Sequence, residues 1–157
     1  MTDFGQEIER LAEKYKKRMR AVAKESVQQT VEIAQEIGLK SDASAAAIAK
    51  AASLGGGKGR MRVLTGFLRA SIAGNVGSMP SGESENMLKP PEKVEWDGDA
   101  ISAAITRWNP EKGETIYVGW TANYARHRES RDGFMRGAVE VWDQTVHKVA
   151  QKVKASI

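Results

Sequence analysis

The sequence predicts a single α+β domain over residues 1–157, with a long N-terminal helix, a small antiparallel sheet of three to four strands and a C-terminal helix packed on the sheet. Three patterns predict this fold class. Apolar residues recur every three or four positions up to Ile37, the period changes beyond Gly57, and a helical period returns at Phe134. A helix over one face of a small sheet buries both apolar surfaces. With 157 residues, 41% of them hydrophobic, the chain is long enough for one such core.

Residues 1–38 predict one long helix. Asp3 with Gln6 three residues later is typical of a helix start, and Gly38 of a helix end. Such a helix has about 34 residues and measures roughly 50 Å, which is too long for it to lie on a small core. It therefore either kinks near residues 23–26 or projects to meet a neighbouring chain. Its apolar stripe consists of Phe4, Ile8, Leu11, Tyr15, Met19, Val22, Val27, Val31, Ala34 and Ile37.

Residues 39–63 predict an alanine-rich helix followed by a flexible basic loop. A capping pair of serine and aspartate precedes residues 43–53, and a run of three glycines ends that helix. The stretch SLGGGKGRMR has glycines typical of a phosphate-binding loop. That motif needs Ser or Thr after its lysine, however, and Lys58 is followed by Gly59. We expect a flexible loop whose cations lie in solvent or touch a phosphate backbone, namely Lys58, Arg60 and Arg62.

Residues 64–157 predict the sheet and the C-terminal helix. A short helical turn leads into a strand over 69–76, and a polar loop occupies 77–91. Three further strands are predicted at 94–96, 101–108 and 115–120, joined by turns at 97–99 and 109–113. The last helix has one apolar face, formed by Phe134, Ala138, Val141, Trp142, Thr145, Val149 and Val153.

The composition and the motifs argue against several classes of protein. The chain has no cysteine and therefore no disulfide. No apolar run approaches the ~20 residues of a membrane-spanning helix, and the N-terminus MTDFGQEIER carries acids where a signal peptide carries bases. We expect a protein that is intracellular when it is synthesised and makes no membrane contact.

Residue types suited to catalysis are present, but not in the arrangements that catalysis needs. Ser71 lacks the glycines of a nucleophile elbow, and His127 and His147 do not have metal-ligand spacing. The carboxylates of 95–99 surround a glycine, which favours a hairpin turn over a cation site. The four tryptophans are better explained by packing than as stacking platforms for single-stranded nucleic acid. We therefore expect no catalytic residue, no cofactor, no metal and no small-molecule substrate, and hence not an enzyme.

Opposite charges cluster in different parts of the chain, whose net charge is +4. Opposed patches suit contact with a polyanion or head-to-tail contact between identical subunits, although a solvated helix face also explains the basic run. The basic residues are Lys14, Lys16, Lys17, Arg18, Arg20 and Lys24 in the first helix, and Lys58, Arg60, Arg62 and Arg69 beyond it. The acidic residues are Glu83, Glu85, Glu92, Glu95, Asp97 and Asp99.

Three short motifs occur in order between residues 65 and 138. The first is Thr65–Ile72, TGFLRASI, which leads into a strand. The second has Val-Gly at a strand end, followed by Tyr124–Ala125 and Glu129. The third, Gly133–Ala138, opens the last helix with GFMRGA. Their order resembles that of one family, the tail-completion or head-tail joining (neck) proteins of long-tailed bacteriophages, also called minor tail protein Z-like.

The chain departs from the pattern of this family at several positions. Leu64 stands where an aspartate often precedes the Thr-Gly pair, and Ser130 stands where the family has a glycine. Gly133 and Gly137 replace the two prolines of the third motif. Residues 39–62 have no counterpart in the pattern.

The resemblance implies a structural virion protein. It implies a homo-oligomeric ring, six-fold, at the head-tail junction, with DNA passing through the lumen. The implied partners are connector or head-closure proteins and tail-tube or tail-terminator proteins, with transient, non-specific contact to genomic DNA. Such a protein is made in the cytoplasm of the bacterial host and ends in the virion. The alternative function is a small basic nucleic-acid-binding domain.

The resemblance also implies roles for particular residues. The motif residues are Thr65, Gly66, Leu68, Arg69, Ser71, Tyr124, Ala125, Phe134, Arg136 and Ala138. In this interpretation the first motif leads into the first strand of the sheet. The side chains of Leu64, Leu68 and Ile72 are then buried, and Arg69 is free. Subunit and partner contacts are assigned to Arg69, Arg126, Arg128, Glu129 and Arg136, and contact with DNA in the lumen to Lys58, Arg60 and Arg62.

Overall fold

The computed structural model describes residues 3–36, 45–46, 48–49, 59–61, 66–89, 92–96 and 98–156. Its longest element is the expected N-terminal helix α1, Phe4–Gln35. Asp3 caps α1, because its carboxylate accepts a hydrogen bond from the Gly5 N–H at 3.4 Å. α1 is one continuous helix through residues 23–26, and every residue from 3 to 17 is exposed. The first half of α1 therefore projects from the other described elements of the chain, and its contact with a neighbouring chain stays a prediction.

The other described elements are short. The helical turn that runs into a strand near residues 69–76 and the strand at 115–120 are confirmed. In chain order the elements are α2, Phe67–Ala70; β1, Ile72–Val76; α3, Asp99–Arg107; a 3₁₀ turn, Pro110–Lys112; β2, Ile116–Trp120; α4, Ala125–Asp132; α5, Phe134–Glu140; and α6, Trp142–Ser156.

The sheet is smaller than expected. β1 and β2 pair antiparallel with Ile72 opposite Trp120, and the described residues contain no third strand. The prediction of three to four strands is therefore not borne out. Since two strands are marginally stable alone, they need a covering element, which α3 supplies. A Cβ at Gly74 would lie 3.0 Å from the Ala104 Cβ, so glycine permits this close approach.

The strand predicted at 101–108 is wrong, because these residues form α3. Isoleucines, a threonine and Trp108 favour a strand, but the buried residues Ile101, Ala104 and Ile105 follow a helical period. Gly98, with φ 78°, precedes the first turn of α3, so the hairpin turn predicted there is also wrong. Residues 94–96 have no regular secondary structure. The helical spacing of the apolar residues that become buried, rather than the β propensity of single residues, therefore agrees with the structure of this segment.

The expected C-terminal helix is present and is interrupted once. α5 ends at Glu140 and α6 begins at Trp142, and both lie against α1. Five residues of the expected apolar face are buried, namely Phe134, Ala138, Thr145, Val149 and Val153. Trp142 is 38% exposed, so the helix does not bury it as expected.

Two clusters of buried side chains form the core. The first cluster lies between α1, β1 and α3 and consists of Val31, Ile72, Ile101 and Ile105. The second cluster consists of Met61, Leu68, Ala122 and Phe134, and Trp120 packs against both clusters. Among the described helices, none has the length and the apolar character that crossing a membrane requires.

Most of the predictions for residues 39–63 lie outside the described residues. Within this segment, residues 45–46 and 48–49 are helical. The three glycines, Lys58 and Arg62 fall outside the described residues, as do Leu64, Thr65 and Asp97.

Candidate functional site

All three family-like motifs meet in the second cluster. Leu68 of the first motif and Phe134 of the third are buried there, and Tyr124 and Ala125 of the second motif pack against them. The rings of Trp120 and Phe134 meet edge to face with their centroids 4.9 Å apart, an arrangement that aromatic pairs favour. The motif residues therefore form one packing unit that joins α2, the end of β2 and α5.

Gly66 and Ser71 fix the backbone at the two ends of α2. Gly66 has φ 82°, and a Cβ there would lie 2.2 Å from the carbonyl oxygen of Val94. Only glycine fits both conditions. The Ser71 hydroxyl donates a hydrogen bond to the Leu68 carbonyl at 2.7 Å, which satisfies an acceptor at the helix end. The first motif thus forms a short helical joint, which consists of α2 with Gly66 and Ser71 at its ends. Ser71 stabilises the C-terminal end of this joint.

A buried glutamine connects this joint to the long helix. Gln35 is fully buried, its amide nitrogen donates to the Arg69 carbonyl at 2.8 Å, and its amide oxygen accepts from the Trp120 indole N–H at 2.9 Å. The sequence did not single out Gln35. The available signal is its position one residue after the buried Ala34, but helical spacing does not reveal partners so distant in the chain.

Tyr124 places a phenol at the edge of the second cluster. Burial raises the pKa of Tyr124 above its ordinary value of 10.0, and hydrogen bonds with the Asn86 side chain and the Leu68 backbone oppose that rise. Its ring lies 6.3 Å from the ring of Phe67, centroid to centroid. The second motif therefore contributes packing and hydrogen bonds to the joint.

Two of the predicted interface residues stabilise the corner between α4 and α5. Glu129 accepts hydrogen bonds from the backbone N–H groups of Met135 at 2.8 Å and Arg136 at 3.0 Å, so it caps α5. Arg128 pairs with Asp132 at 2.7 Å. Both side chains therefore stabilise the fold through contacts within the chain, and this role is independent of any contact with a partner.

The glycines of the third motif explain two departures from the family pattern. Gly133 has φ 63°, which proline cannot adopt because its ring holds φ near −65°. A Cβ at Gly137 would lie 2.8 Å from the Nε of Arg60. The backbone therefore requires glycine at Gly133, whereas glycine at Gly137 leaves room for the Arg60 side chain that crosses α5.

Besides Arg128, four of the predicted contact cations belong to the described residues, and they differ in exposure. Arg126 and Arg136 are exposed at the corner between α4 and α5. Arg60 is also exposed and lies 3.9 Å from Glu140. Arg69 is not free as expected, because its guanidinium stacks on Trp96, 5.1 Å from the ring centroid, and burial lowers its pKa. Arg126 and Arg136 are therefore the most accessible of the assigned interface cations.

The two charge patches are largely exposed. In α1 the side chains of Lys14, Lys16 and Lys17 are exposed, whereas Arg20 pairs with Glu111 at 2.7 Å. The described acids of the opposed patch are all exposed, namely Glu83, Glu85, Glu92, Glu95 and Asp99. Both patches can therefore meet charges outside the chain.

The chain also exposes apolar surface. Trp142, which the sequence placed on the apolar face of the last helix, belongs to this exposed surface. One groove beside Trp142 has a volume of about 310 Å³ and is lined by Tyr15, Met19 and Val22 of α1. A second groove of about 220 Å³ also has Trp142 in its lining, together with Val118 of β2. Trp142 thus lines two open apolar grooves along α1.

The histidines and the acidic groups form no metal site in the described part of the chain. His127 and His147 are both exposed, and the Nε2 of His147 lies 3.2 Å from the Gln151 amide nitrogen. Within the described ranges, no group of three or more His, Asp or Glu residues is placed to hold a metal ion.

Comparisons of the chain with protein-family models, with curated proteins and with solved structures found no match.

Proposed function

We propose that the chain is a structural virion protein of a tailed bacteriophage and forms a homo-oligomeric ring at the head-tail junction. One observation carries the proposal. Three motifs that resemble those of the tail-completion family are far apart in sequence, yet Leu68, Tyr124 and Phe134 belong to one packed cluster. The shared packing supports the interpretation that the three motifs form one unit. We assign the protein no catalytic role.

Exposed charges supply the contacts that a ring needs. Heterologous contacts between different surfaces of identical subunits close into a ring when the rotation per subunit permits it. The exposed Arg126 and Arg136 form a cationic corner, and the exposed acids of residues 83–99 form its complement. In the proposed ring the corner of one subunit faces the acidic segment of the next.

The basic loop is assigned to the lumen. Arg60 lies beside α5, and the loop sequence holds Lys58 and Arg62 on either side of it. Cations that face passing DNA bind phosphates without reading base sequence, so the contact is weak and depends on salt. Transient contact suits a channel through which DNA must move.

The test is a head-tail joining assay with phage whose gene for this chain is deleted. We expect separate heads and tails from the deletion, and infectious particles after purified protein is added. Arg136→Glu is expected to abolish joining, because it reverses a charge at the corner. Lys148→Glu is the matched control, since it reverses an exposed charge on α6, and we expect it to join heads and tails normally.

Two results would contradict the proposal. One is normal assembly of the deletion phage, together with antibody labelling of wild-type particles that never marks the neck. The other is tight binding of purified protein to DNA duplex with a steep salt dependence, which indicates a dedicated nucleic-acid-binding domain. Circular dichroism of both charge variants confirms that they are folded before assembly is compared.

A further inference from the structure

The first half of α1 carries an apolar stripe that the described part of the chain leaves uncovered. We call residues 4–17 the arm, and all of them are exposed. The exposed fractions along the stripe are Phe4 79%, Ile8 50%, Leu11 45%, Tyr15 61% and, just beyond the arm, Met19 70%. Together these side chains offer on the order of 500 Å² of contiguous surface, at the upper end of what a monomer normally exposes.

We propose that a second copy of this chain covers the stripe, with the two arms paired antiparallel as a short coiled coil. Successive stripe residues Phe4, Ile8, Leu11 and Tyr15 are separated by four, three and four positions. This spacing forms the a and d seam of a coiled coil. The pattern ends where Arg18 takes the next seam position, so pairing covers residues 4–15, a length of about 16 Å.

The seam is complementary to itself when the arms run in opposite directions. With Ile8 opposite Leu11 of the second copy, Phe4 lies opposite Tyr15 of that copy. The two-fold axis repeats both layers, so four apolar layers form from two kinds of contact. Each large aromatic side chain then meets another one instead of water.

The residues beside the seam fit the same register. On one side Glu7 faces Lys14 of the second copy, and the symmetry produces this pair twice. On the other side Gly5 faces Ala12, and these small residues let the helices approach closely. In a parallel pair Glu7 would face Ala12 and Lys14 would face Met19, so no ion pair would form. Charge complementarity therefore favours a second copy in the antiparallel direction.

The contacts of the isolated arm do not compete strongly with this pairing. Glu7 lies 3.1 Å from Arg10 and Glu13 lies 3.3 Å from Lys16, and these pairs are exposed. Exposed pairs stabilise a helix only slightly, and a helix of about 14 residues without tertiary contacts is marginal in water. Pairing supplies the apolar contacts that the arm lacks in the single chain.

The two-fold pairing is a separate contact from the ring. An isologous contact closes with two chains and builds no ring, whereas head-to-tail contacts continue from subunit to subunit. The inference therefore depends on the arm alone, and its failure would leave the proposed function untouched.

The first experiment measures association by sedimentation equilibrium of the full-length chain over a range of concentrations. We expect reversible self-association whose first step is a dimer. Leu11→Asp is expected to raise the dissociation constant at least 100-fold, because it buries a charge in the seam. Gln6→Asp, on the opposite face of the arm, is the matched control and should leave the constant unchanged. Since Leu11 is exposed in the single chain, the variant should retain its fold.

The second experiment exchanges charges beside the seam. Glu7→Lys and Lys14→Glu should each weaken self-association by about tenfold, because like charges then face each other. The double variant should restore association, and an equimolar mixture of the two single variants should form heterodimers. Equal weakening of the double variant and the single variants would overturn the proposed register.

The third experiment uses engineered cysteines, since the chain has none of its own. A mixture of Phe4→Cys and Tyr15→Cys chains should form disulfide-linked heterodimers. Either variant alone should not, because identical residues at these positions lie at least about 16 Å apart in the antiparallel pair. Crosslinking of Phe4→Cys alone would show a parallel pair and overturn the proposal. A monomer at every concentration, or an oligomer unaffected by Leu11→Asp, would also overturn it.

Discussion

The two halves of α1 have the same kind of apolar pattern and opposite surroundings. In the arm, Phe4 and Tyr15 are exposed, whereas Val31 and Ala34 in the second half are buried. The second half has partners within its own chain, in β1, α3, α5 and α6. A helical period therefore determines which face of α1 is apolar, while the rest of the chain determines whether that face is covered.

Substitutions in the two halves of α1 should have different effects, and different measurements detect them. A substitution in the second half, or in the clusters that it joins, changes the free energy of unfolding of a single chain. A substitution in the arm changes the contacts between chains and leaves the dilute monomer nearly unaffected. Equivalent substitutions in the two regions therefore test the comparison directly.

The largest contrast is expected between two phenylalanines. Phe134→Ala should lower the free energy of unfolding by about 3 to 5 kcal/mol, because it leaves a cavity beside Trp120 and Leu68. Phe4→Ala, the same change in the arm, should lower it by less than about 0.5 kcal/mol in dilute protein. Urea unfolding at low protein concentration measures both values. Similar losses for the two variants would mean that the arm packs within its own chain.

A second contrast concerns two glutamines of α1. Gln35→Leu leaves the Trp120 indole N–H and the Arg69 carbonyl without their buried partner. We expect a loss of roughly 2 kcal/mol or more in the free energy of unfolding. Gln28→Leu is the matched control, because Gln28 bonds only an exposed Glu32 within the described chain, and its effect should stay below about 0.5 kcal/mol. Denaturant titration of both variants checks the difference.

The sequence predicted the elements whose local pattern agrees with their final surroundings. α1, β1, β2 and the buried face of the last helix followed from periodicity and capping, and Leu68 and Ile72 are buried as expected. α3 was predicted wrongly because β-branched residues and a tryptophan outweighed a helical spacing of only three buried positions. A local pattern is therefore reliable where several turns repeat it.

The contacts of the candidate site were less accessible to sequence reasoning. The motifs identified Glu129 and Arg69, but not that Glu129 caps α5 or that Arg69 stacks on Trp96. The position of Gln35 next to Ala34 did not reveal its partners, which lie 34 and 85 positions away in the chain. Long-range pairing depends on the packed arrangement, which no short stretch of sequence specifies.

A smaller effect is expected at the corner between α4 and α5. Glu129→Gln keeps the shape of the side chain but removes the charge that meets two backbone N–H groups of α5. The loss should be about 1 kcal/mol in the free energy of unfolding. Glu9→Gln on the exposed arm is the matched control and should produce no measurable change. A loss in head-tail joining larger than this destabilisation explains would indicate that Glu129 also contacts a partner.

The smallest effect is the pH dependence that Tyr124 contributes. Burial raises its pKa above 10.0 in the folded chain, so the unfolded chain releases the phenolic proton at a lower pH. The stabilising contribution is therefore complete below pH 10.0 and is lost as the pH rises through the folded value. Urea unfolding at increasing alkaline pH should show this loss in the wild type, and Tyr124→Phe should show a shallower decline over the same range. Parallel declines in the two proteins would show that the Tyr124 phenol is as accessible to water as the side chains of the arm. The packed cluster would then include Leu68 and Phe134 but not Tyr124.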